Sequence, residues 1–209
     1  MDKAFILDSE TTSNKHPHPI EVAYVELSPR GQLLNTPTVL RFKPPVPIEF
    51  GAMATHHILP EELEDCPPYD PLLLPMMDYV IGHNVDFDAD CCQVPGHVKR
   101  ICTPAIARAI WPNTSPTQSA LLYMLSDDRA HTRERLRAAH SAGADVVFCH
   151  EILTAILCEL PHIRSLPELY AFSEECRIPK VMTFGKFSGS PIQHVETGWR
   201  QWYRRQSDK

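Results

Sequence analysis

Apolar side chains cluster early in three short stretches, Ala4 to Asp8, Ile20 to Leu27 and Val39 to Lys43. They are separated by Pro, Gly and Asn, and the first two are rich in β-branched or aromatic residues, so they predict three strands. Tyr79-Val-Ile-Gly-His83 predicts a fourth. Helical spacing takes over later, at Pro104 to Trp111, at Ser119 to Leu125 and at Ala144 to Leu160, with Pro104 at a permitted first-turn position. Strands first and helices later, with a strand-helix alternation near the middle, predict an α/β chain: a mixed sheet flanked by helices. Eight of the 20 prolines fall between Pro44 and Pro75, yet Ile48, Phe50, Met53, Ile58 and Leu63 interrupt them with side chains that want burial. That stretch reads as a structured excursion rather than a flexible linker. After Pro161 the composition shifts. Seven of the 17 aromatic residues and a basic excess lie from Leu166 onward, so the expected organisation is a main domain over 1–165 and a small aromatic and basic appendage over 166–209.

With 209 residues, 43% apolar and 22% charged, the chain suits one globular domain plus such an appendage, and neither a disordered tail nor a collagen-like fibre. No apolar run approaches the ~18 residues of a membrane span, and the N-terminal apolar stretch ends at Asp8. A cytoplasmic protein with no membrane partner and no secretory leader is therefore expected. Seven cysteines without a C-x-x-C pair fit reduced thiols better than a disulfide framework or a zinc ribbon, and Cys91-Cys92 with His97 lacks a second ligand pair. The net charge of −6 speaks against a protein that coats nucleic acid by charge alone. Its distribution is uneven: residues 1 to 120 hold 15 Asp/Glu against 8 Lys/Arg, and residues 166 to 209 hold 5 against 7. An acidic front half is either a solvated surface or a concentration of carboxylates for metal ions.

Three acidic clusters bear on that choice. In Phe5-Ile-Leu-Asp8-Ser9-Glu10-Thr11 an apolar strand runs into two acids at i and i+2, which the pleat places on one face. Two such carboxylates repel unless a cation lies between them, although an ordinary polar strand end is the commoner meaning of D-x-E. Gly82-His83-Asn84-Val85-Asp86-Phe87-Asp88-Ala89-Asp90 again follows an apolar strand. It is no EF-hand loop, since Cys91 and His97 stand where Gly and Glu are needed; Asp86 and Asp90 fit solvated faces or a cap. In the third cluster, His140 to Asp145, the acid shares a helical face with Cys149, Ile152 and Ile156. Burial against that stripe favours a metal or an ion-pair partner over a simple helix-dipole role. His140, five residues earlier and before Gly143, belongs to the preceding loop.

Taken in order, the clusters resemble the motifs of the DEDDh 3′-5′ exonucleases of the RNase H-like superfamily. Asp8-x-Glu10-Thr11 resembles the first motif, His83-Asn84-x-x-Phe87-Asp88 the second and His140-x-x-x-x-Asp145 the third. Ala52-Met-Ala-Thr-His56-His57-Ile58 is similar to the family's A-x-x-x-H-G-I segment with His57 in place of glycine, and Cys102-Thr103 through Ala107-Arg108 to Pro112 to the segment after its fifth strand. Met182-Thr-Phe-Gly-Lys-Phe-x-Gly with Trp199 to Tyr203 resembles a C-terminal signature of one branch. The loop Thr12 to His18 departs from the pattern: it lacks the glycine and the apolar wedge residue that such enzymes set against a terminal base pair, so fraying of duplex ends is not expected.

The resemblance implies an RNase H-like mixed five-stranded β-sheet flanked by α-helices and a metal-dependent 3′-5′ exonuclease that releases nucleoside 5′-monophosphates from DNA, single-stranded by preference. It implies two Mg²⁺ or Mn²⁺ ions per site, hard cations suited to carboxylate oxygens, with Asp8 bridging both, Glu10 and Asp145 completing one site and Asp88 holding the other largely through water. His140 would be the general base, and Ser9, Thr11, His56 and Asn84 would bind substrate. Homodimerisation and a DNA-repair setting are further expectations of the resemblance. Arg129, Arg133, Arg135 and Arg137 offer a charge run that could track a phosphate backbone or be a solvated face. Lys186 is a further phosphate-binding candidate. An RNA-directed exonuclease with the same site, a silent nucleic-acid-binding module and a subunit active only within a larger complex are the rival readings.

Overall fold

Alternation along the first residues builds the longest strand pair. β1 (Ala4–Thr11) and β2 (Pro19–Leu27) run antiparallel, in register from Ala4↔Leu27 to Glu10↔Glu21, and β3 (Thr38–Arg41) adds antiparallel to β2. The computed structural model describes residues 2–178, 182, 185–187, 189–199 and 201–202. Within the proline-rich excursion lie α1 (Phe50–His56) and two 3-10 turns, Pro60–Leu63 and Pro71–Leu73. Ile48, Ile58 and Leu63 close over Ile20 there as a separate apolar cluster, so the excursion is structured, as the sequence leads one to expect. β4 (Tyr79–Gly82) then enters parallel to β1, α2 (Val85–Cys91) turns directly off it, and β5 (Lys99–Cys102) lies parallel to β4. The order is β3-β2-β1-β4-β5. Five helices follow: α3 (Thr103–Ile110), α4 (Gln118–Leu125), α5 (Arg129–Arg135), α6 (Ala142–Glu159) and α7 (Leu166–Arg177). This is the expected mixed five-stranded sheet flanked by helices.

The period of two assigns the faces. Ala4 and Ile6 of β1, with Ala23 and Val25 of β2, pack beneath α6, whose Val146, Cys149, Ile152, Leu153 and Ile156 are buried. Phe5, Leu7, Val22 and Val80 pack on the opposite face against Val85 and Ala89 of α2 and Cys92 at its C-cap. β4 is covered on both sides and is apolar throughout, the composition that central parallel strands require.

One mismatch of strand lengths creates the site. β1 pairs with β4 only through Ile6↔Ile81, then continues to Thr11, so Asp8 to Thr11 run past the end of β4. The chain leaves β4 tightly there. A Cβ at Gly82 would lie 3.1 Å from the Leu7 carbonyl oxygen and from Val85 Cα, so the turn into α2 needs a glycine, and Asn84 begins the helix at φ 80°.

Several limits differ from the sequence pattern. β1 reaches three residues past Asp8, because an apolar strand that turns polar no longer shows burial in its composition. α1, α2 and α5 have seven residues each, too few for periodicity to reveal. α7 lies where only an appendage was expected. Its Leu166 and Leu169 belong to the main core, the Cys102 N–H donates to Ser173 Oγ at 3.0 Å, and Arg177 pairs with Asp86. The packed unit thus extends through Arg177, beyond the boundary expected at 165. Farther on, Trp199 packs against Phe187 and Trp202 with ring centroids 5.7 and 5.3 Å apart. Tyr203, Arg200 and Arg204, with Thr183 and Phe184 of the C-terminal signature, lie outside the described residues. Among the described residues, no helix is long and apolar enough to cross a membrane.

Candidate metal centre

Asp8 and Glu10 leave β1 on the face covered by α6, and Asp145 occupies the first turn of that helix. The three carboxylates converge, with one oxygen from each lying within 4.8 Å of the others. The start of α6 lies close on β3, where a Cβ at Gly143 would come 2.9 Å from Val39 Cγ2. Asp88 arrives from the other side of β1. It belongs to α2, and its Oδ1 accepts the Ser9 N–H (3.0 Å) and the Ser9 hydroxyl (2.8 Å). Ser9 points to the α2 face because it alternates with Asp8 and Glu10. Its hydroxyl, expected to bind substrate, is spent on orienting Asp88.

These acids are crowded, and no Lys or Arg pairs with them among the described residues. Burial, then repulsion from Asp88, Asp145, Glu10 and Glu21, pushes Asp8 well above the ordinary carboxylate range. Burial followed by repulsion from Asp145, Glu21 and Asp88 lifts Glu10 to about 8. Asp88 is raised to about 7 by burial, against the two Ser9 bonds that favour its charged form. Burial likewise raises Asp145 to about 6, and the His140 N–H, which donates to Asp145 Oδ2 at 2.9 Å, offsets part of the rise. Such a group of acids has two ways to settle: it holds protons, or it holds a cation. An all-carboxylate donor set of hard oxygens with this spacing fits divalent ions of the Mg²⁺ or Mn²⁺ type.

A further carboxylate completes the surroundings. Glu21 lies opposite Glu10 on β2 and is only 2% exposed, but it is fully engaged. Arg41 donates to its Oε2 (2.8 Å), the Ala142 N–H donates to its Oε1 (3.0 Å), and Ser141 Oγ lies 3.5 Å away. Arg41 also reaches Glu62 at 3.1 Å. Glu21 therefore ties the start of α6 to the sheet. The same turn is held from outside by Gln118, whose Nε2 donates to the Asp145 carbonyl at 2.7 Å. Neither residue belongs to the three acidic clusters of the sequence. The available signal for Glu21 was an acid set inside the otherwise apolar run Ile20 to Val25.

Two cavities flank the acids. The first, about 220 Å³, is lined by Ser9, Glu10, Thr11, Asn14, His56 and Phe87, among others. His56 is buried, and its Nδ1 accepts the Ile58 N–H at 3.0 Å, which leaves the proton of the neutral ring on Nε2. Nε2 meets no acceptor in hydrogen-bond geometry. Burial holds the His56 pKa below histidine's usual value, although the nearby Thr11 backbone favours the charged ring. Thr11 itself donates its hydroxyl to the Ser13 carbonyl at 3.0 Å. His57 occupies the left-handed C-cap of α1 (φ 59°), the conformation glycine adopts most easily, which accounts for glycine at that position of the motif it resembles.

The second cavity, about 440 Å³, is lined by Asn84, His83, Arg108, Gln118, His140 and Asp145, among others. His140 is exposed at the bend before α6 and holds φ 63°, a left-handed backbone that its loop must sustain. His83 is a brace. Its Nε2 donates to the Pro116 carbonyl (2.9 Å), Nδ1 takes the Thr103 hydroxyl (3.0 Å), and burial drives its pKa down to about 4. The charge run ahead of His140 is partly paired: Arg135 with Glu151, and Arg133 and Arg137 both with the single Glu134. Lys186 lies 4.6 Å over the Phe187 ring. Asp86 and Asp90, read as solvated or capping, are bound to Arg100, and Asp86 also to Arg177.

No protein-family model matches the sequence, and no curated protein matches it. Solved structures do. Exonuclease X in complex with 5′ overhanging duplex DNA is 21% identical, with 81% of this chain and 99% of that one aligned at a TM-score of 0.58. The zinc-bound form of the E. coli exonuclease I complex with single-stranded DNA is 18% identical, covering 82% of this chain and 42% of that one at 0.61. E. coli exonuclease I in complex with a dT13 oligonucleotide is 16% identical, covering 78% and 42%, also at 0.61. The chain thus spans nearly all of the exonuclease X chain but under half of the exonuclease I chains. At these identities the likeness is one of architecture: this chain has the RNase H-like fold of the DEDDh exonucleases that its three acidic motifs resemble.

Proposed function

We propose that the chain is a divalent-metal-dependent 3′-5′ exonuclease of the DEDDh type, acting on single-stranded DNA and releasing nucleoside 5′-monophosphates. The observation that carries the reading is the convergence of Asp8, Glu10 and Asp145 within 4.8 Å, with no Lys or Arg paired to any of them among the described residues. Asp8, Glu10 and Asp145 would hold one ion, and Asp88, fixed by Ser9, would help to hold a second together with Asp8. Bound divalent ions would supply Lewis acidity at the scissile phosphate and acidify a water.

The chain's own groups set the rest. The 220 Å³ cavity beside Glu10 is small against the ~300–1,000 Å³ of pockets for drug-sized ligands, so it suits a single terminal nucleoside. Glu10 there would accept a hydrogen bond from the sugar's 3′-hydroxyl, and His56 Nε2–H, which lacks an acceptor, would donate to a nucleoside oxygen. His140, exposed next to Asp145, would take the proton of the attacking water. Its backbone N–H already holds Asp145, so base and ligand move as one unit. Asn84, at the mouth of the second cavity, would donate to a phosphate oxygen.

The test is release of mononucleotides from 3′-labelled and 5′-labelled single-stranded DNA with Mg²⁺, with Mn²⁺ and with EDTA, beside an Asp8→Ala control. A metal-dependent ladder that shortens from the 3′ end and is absent in the variant is expected. No release in either metal, on DNA and then on RNA, would sink the proposal. Faster release from RNA would move the substrate to the 2′-hydroxylated polymer, and light scattering of the same preparation would read out the dimer.

A further inference from the structure

The acids that attract metal also repel a polynucleotide, so a strand threaded past them needs a compensating cation. Among the described residues, only one Lys or Arg lines either cavity. The walls of the Glu10 cavity contain no Lys or Arg, and those of the His140 cavity contain one, Arg108. Arg41 is committed to Glu21 and Glu62, and Arg135 to Glu151. Arg108 is exposed near the end of α3, and no hydrogen bond or ion pair holds its guanidinium among the described residues. It lies close enough to His83 for its charge to add to the burial that keeps that imidazole neutral. The braced His83, linked to Thr103 and Pro116, forms the rigid wall from which the long side chain extends.

Resting on the exonuclease reading, we infer that Arg108 binds the phosphate next to the scissile one on its 5′ side, so that the retained strand leaves through the His83–Arg108–His140 cavity. The two cavities then divide the substrate. The cation-free pocket at Glu10 takes the neutral sugar and base of the departing nucleotide. The cavity with the free guanidinium takes the retained strand, whose next phosphate must be neutralised beside Asp145 and the metal-centre acids next to it. Arginine suits the task because its fork can engage two phosphate oxygens at once and keeps its charge at any working pH.

The assignment separates substrates by the number of phosphates they carry. The 4-nitrophenyl ester of thymidine 5′-monophosphate has one phosphodiester and nothing on its 5′ side; a dT octamer has the full series. Both are assayed with Mn²⁺ using the wild-type chain, Arg108→Ala and Arg108→Lys, after a thermal melt shows that each variant is folded. Arg108→Ala should lower kcat/KM for the octamer about ten- to hundredfold more than for the ester, the range expected for one charge-assisted phosphate contact. Binding of a labelled octamer in Ca²⁺, followed by fluorescence anisotropy, should lose about 0.7 from the slope of log affinity against log salt. Arg108→Lys should restore that slope and recover only part of kcat/KM. If both substrates fall equally, or neither changes, Arg108 does not hold the next phosphate and the assignment is overturned. If the wild-type chain cleaves neither substrate, the exonuclease reading fails and takes this one with it.

Discussion

Glu10 and Glu21 face each other across β1 and β2, both buried, both on the side covered by α6. Like charges directly opposed on a sheet are destabilising, and the fold answers the two in different ways. Glu21 is given Arg41 and the Ala142 N–H. Glu10 is given only other acids, and its pKa rises to about 8. A carboxylate that holds the structure together arrives with its partners, whereas one proposed to hold a metal is left to find its partner from solution. The same division runs along α2, where Asp86 and Asp90 are met by arginines while Asp88 meets only Ser9 and the acids.

The sharpest way to test this contrast is to remove one member at a time. Asp8→Asn or Glu10→Gln should lower nuclease turnover by ~10³-fold, the scale on which groups that act on the transition state are lost. The same variants should melt higher than wild type in EDTA, since a repulsion is removed. Relief of ~2 kcal/mol corresponds to roughly 4–8 °C in a domain of this size. Glu21→Ala should do the reverse to the fold. It strands Arg41 and uncaps α6, a loss of ~2–3 kcal/mol after allowance for the partial exposure of Arg41, seen as a melting point lower by roughly 4–12 °C. If Glu10→Gln melts lower than wild type in EDTA, the contrast between the two glutamates fails.

A pH series sharpens it further. Glu10 has its folded pKa raised, from 4.5 to about 8. The folded state therefore binds the proton more tightly than the unfolded state does, so this stabilisation is complete below about 4.5 and is lost as pH rises to about 8. In EDTA the melting temperature should fall across that window, and Mn²⁺ should reverse the fall, most strongly near its upper end. The smallest effect is expected at Asp86. Its ion pairs are half exposed, so Asp86→Asn should cost no more than ~1 kcal/mol and leave mononucleotide release at the wild-type rate.

The parts of this picture that sequence reveals are those with local causes. An apolar run ending in Asp8-x-Glu10, and Asp145 set into the stripe of Cys149, Ile152 and Ile156, are visible as periodic patterns, and they gain their meaning from standing in order with the cluster at Asp88. The roles of Glu21, Gln118 and Arg41 do not, because each depends on a partner 20 or more residues away. For the same reason Asp86 and Asp88, two residues apart, look alike in the chain and differ completely in the fold. α7 was hidden by its composition: only the packing of Leu166 and Leu169 marks it as core.

The overrun of β1 past β4 has a consequence for synthesis. It leaves Asp8 projecting from the sheet, where it must wait for Asp145, about 140 residues later in the chain, before three carboxylates can converge. At ~5–20 residues per second that wait is on the order of 10–30 s. A nascent chain that has emerged through β5 can pair its whole sheet while Asp8 and Glu10 still face an empty place where α6 will lie. The three carboxylates come together only once α6 has been made and has docked on the sheet.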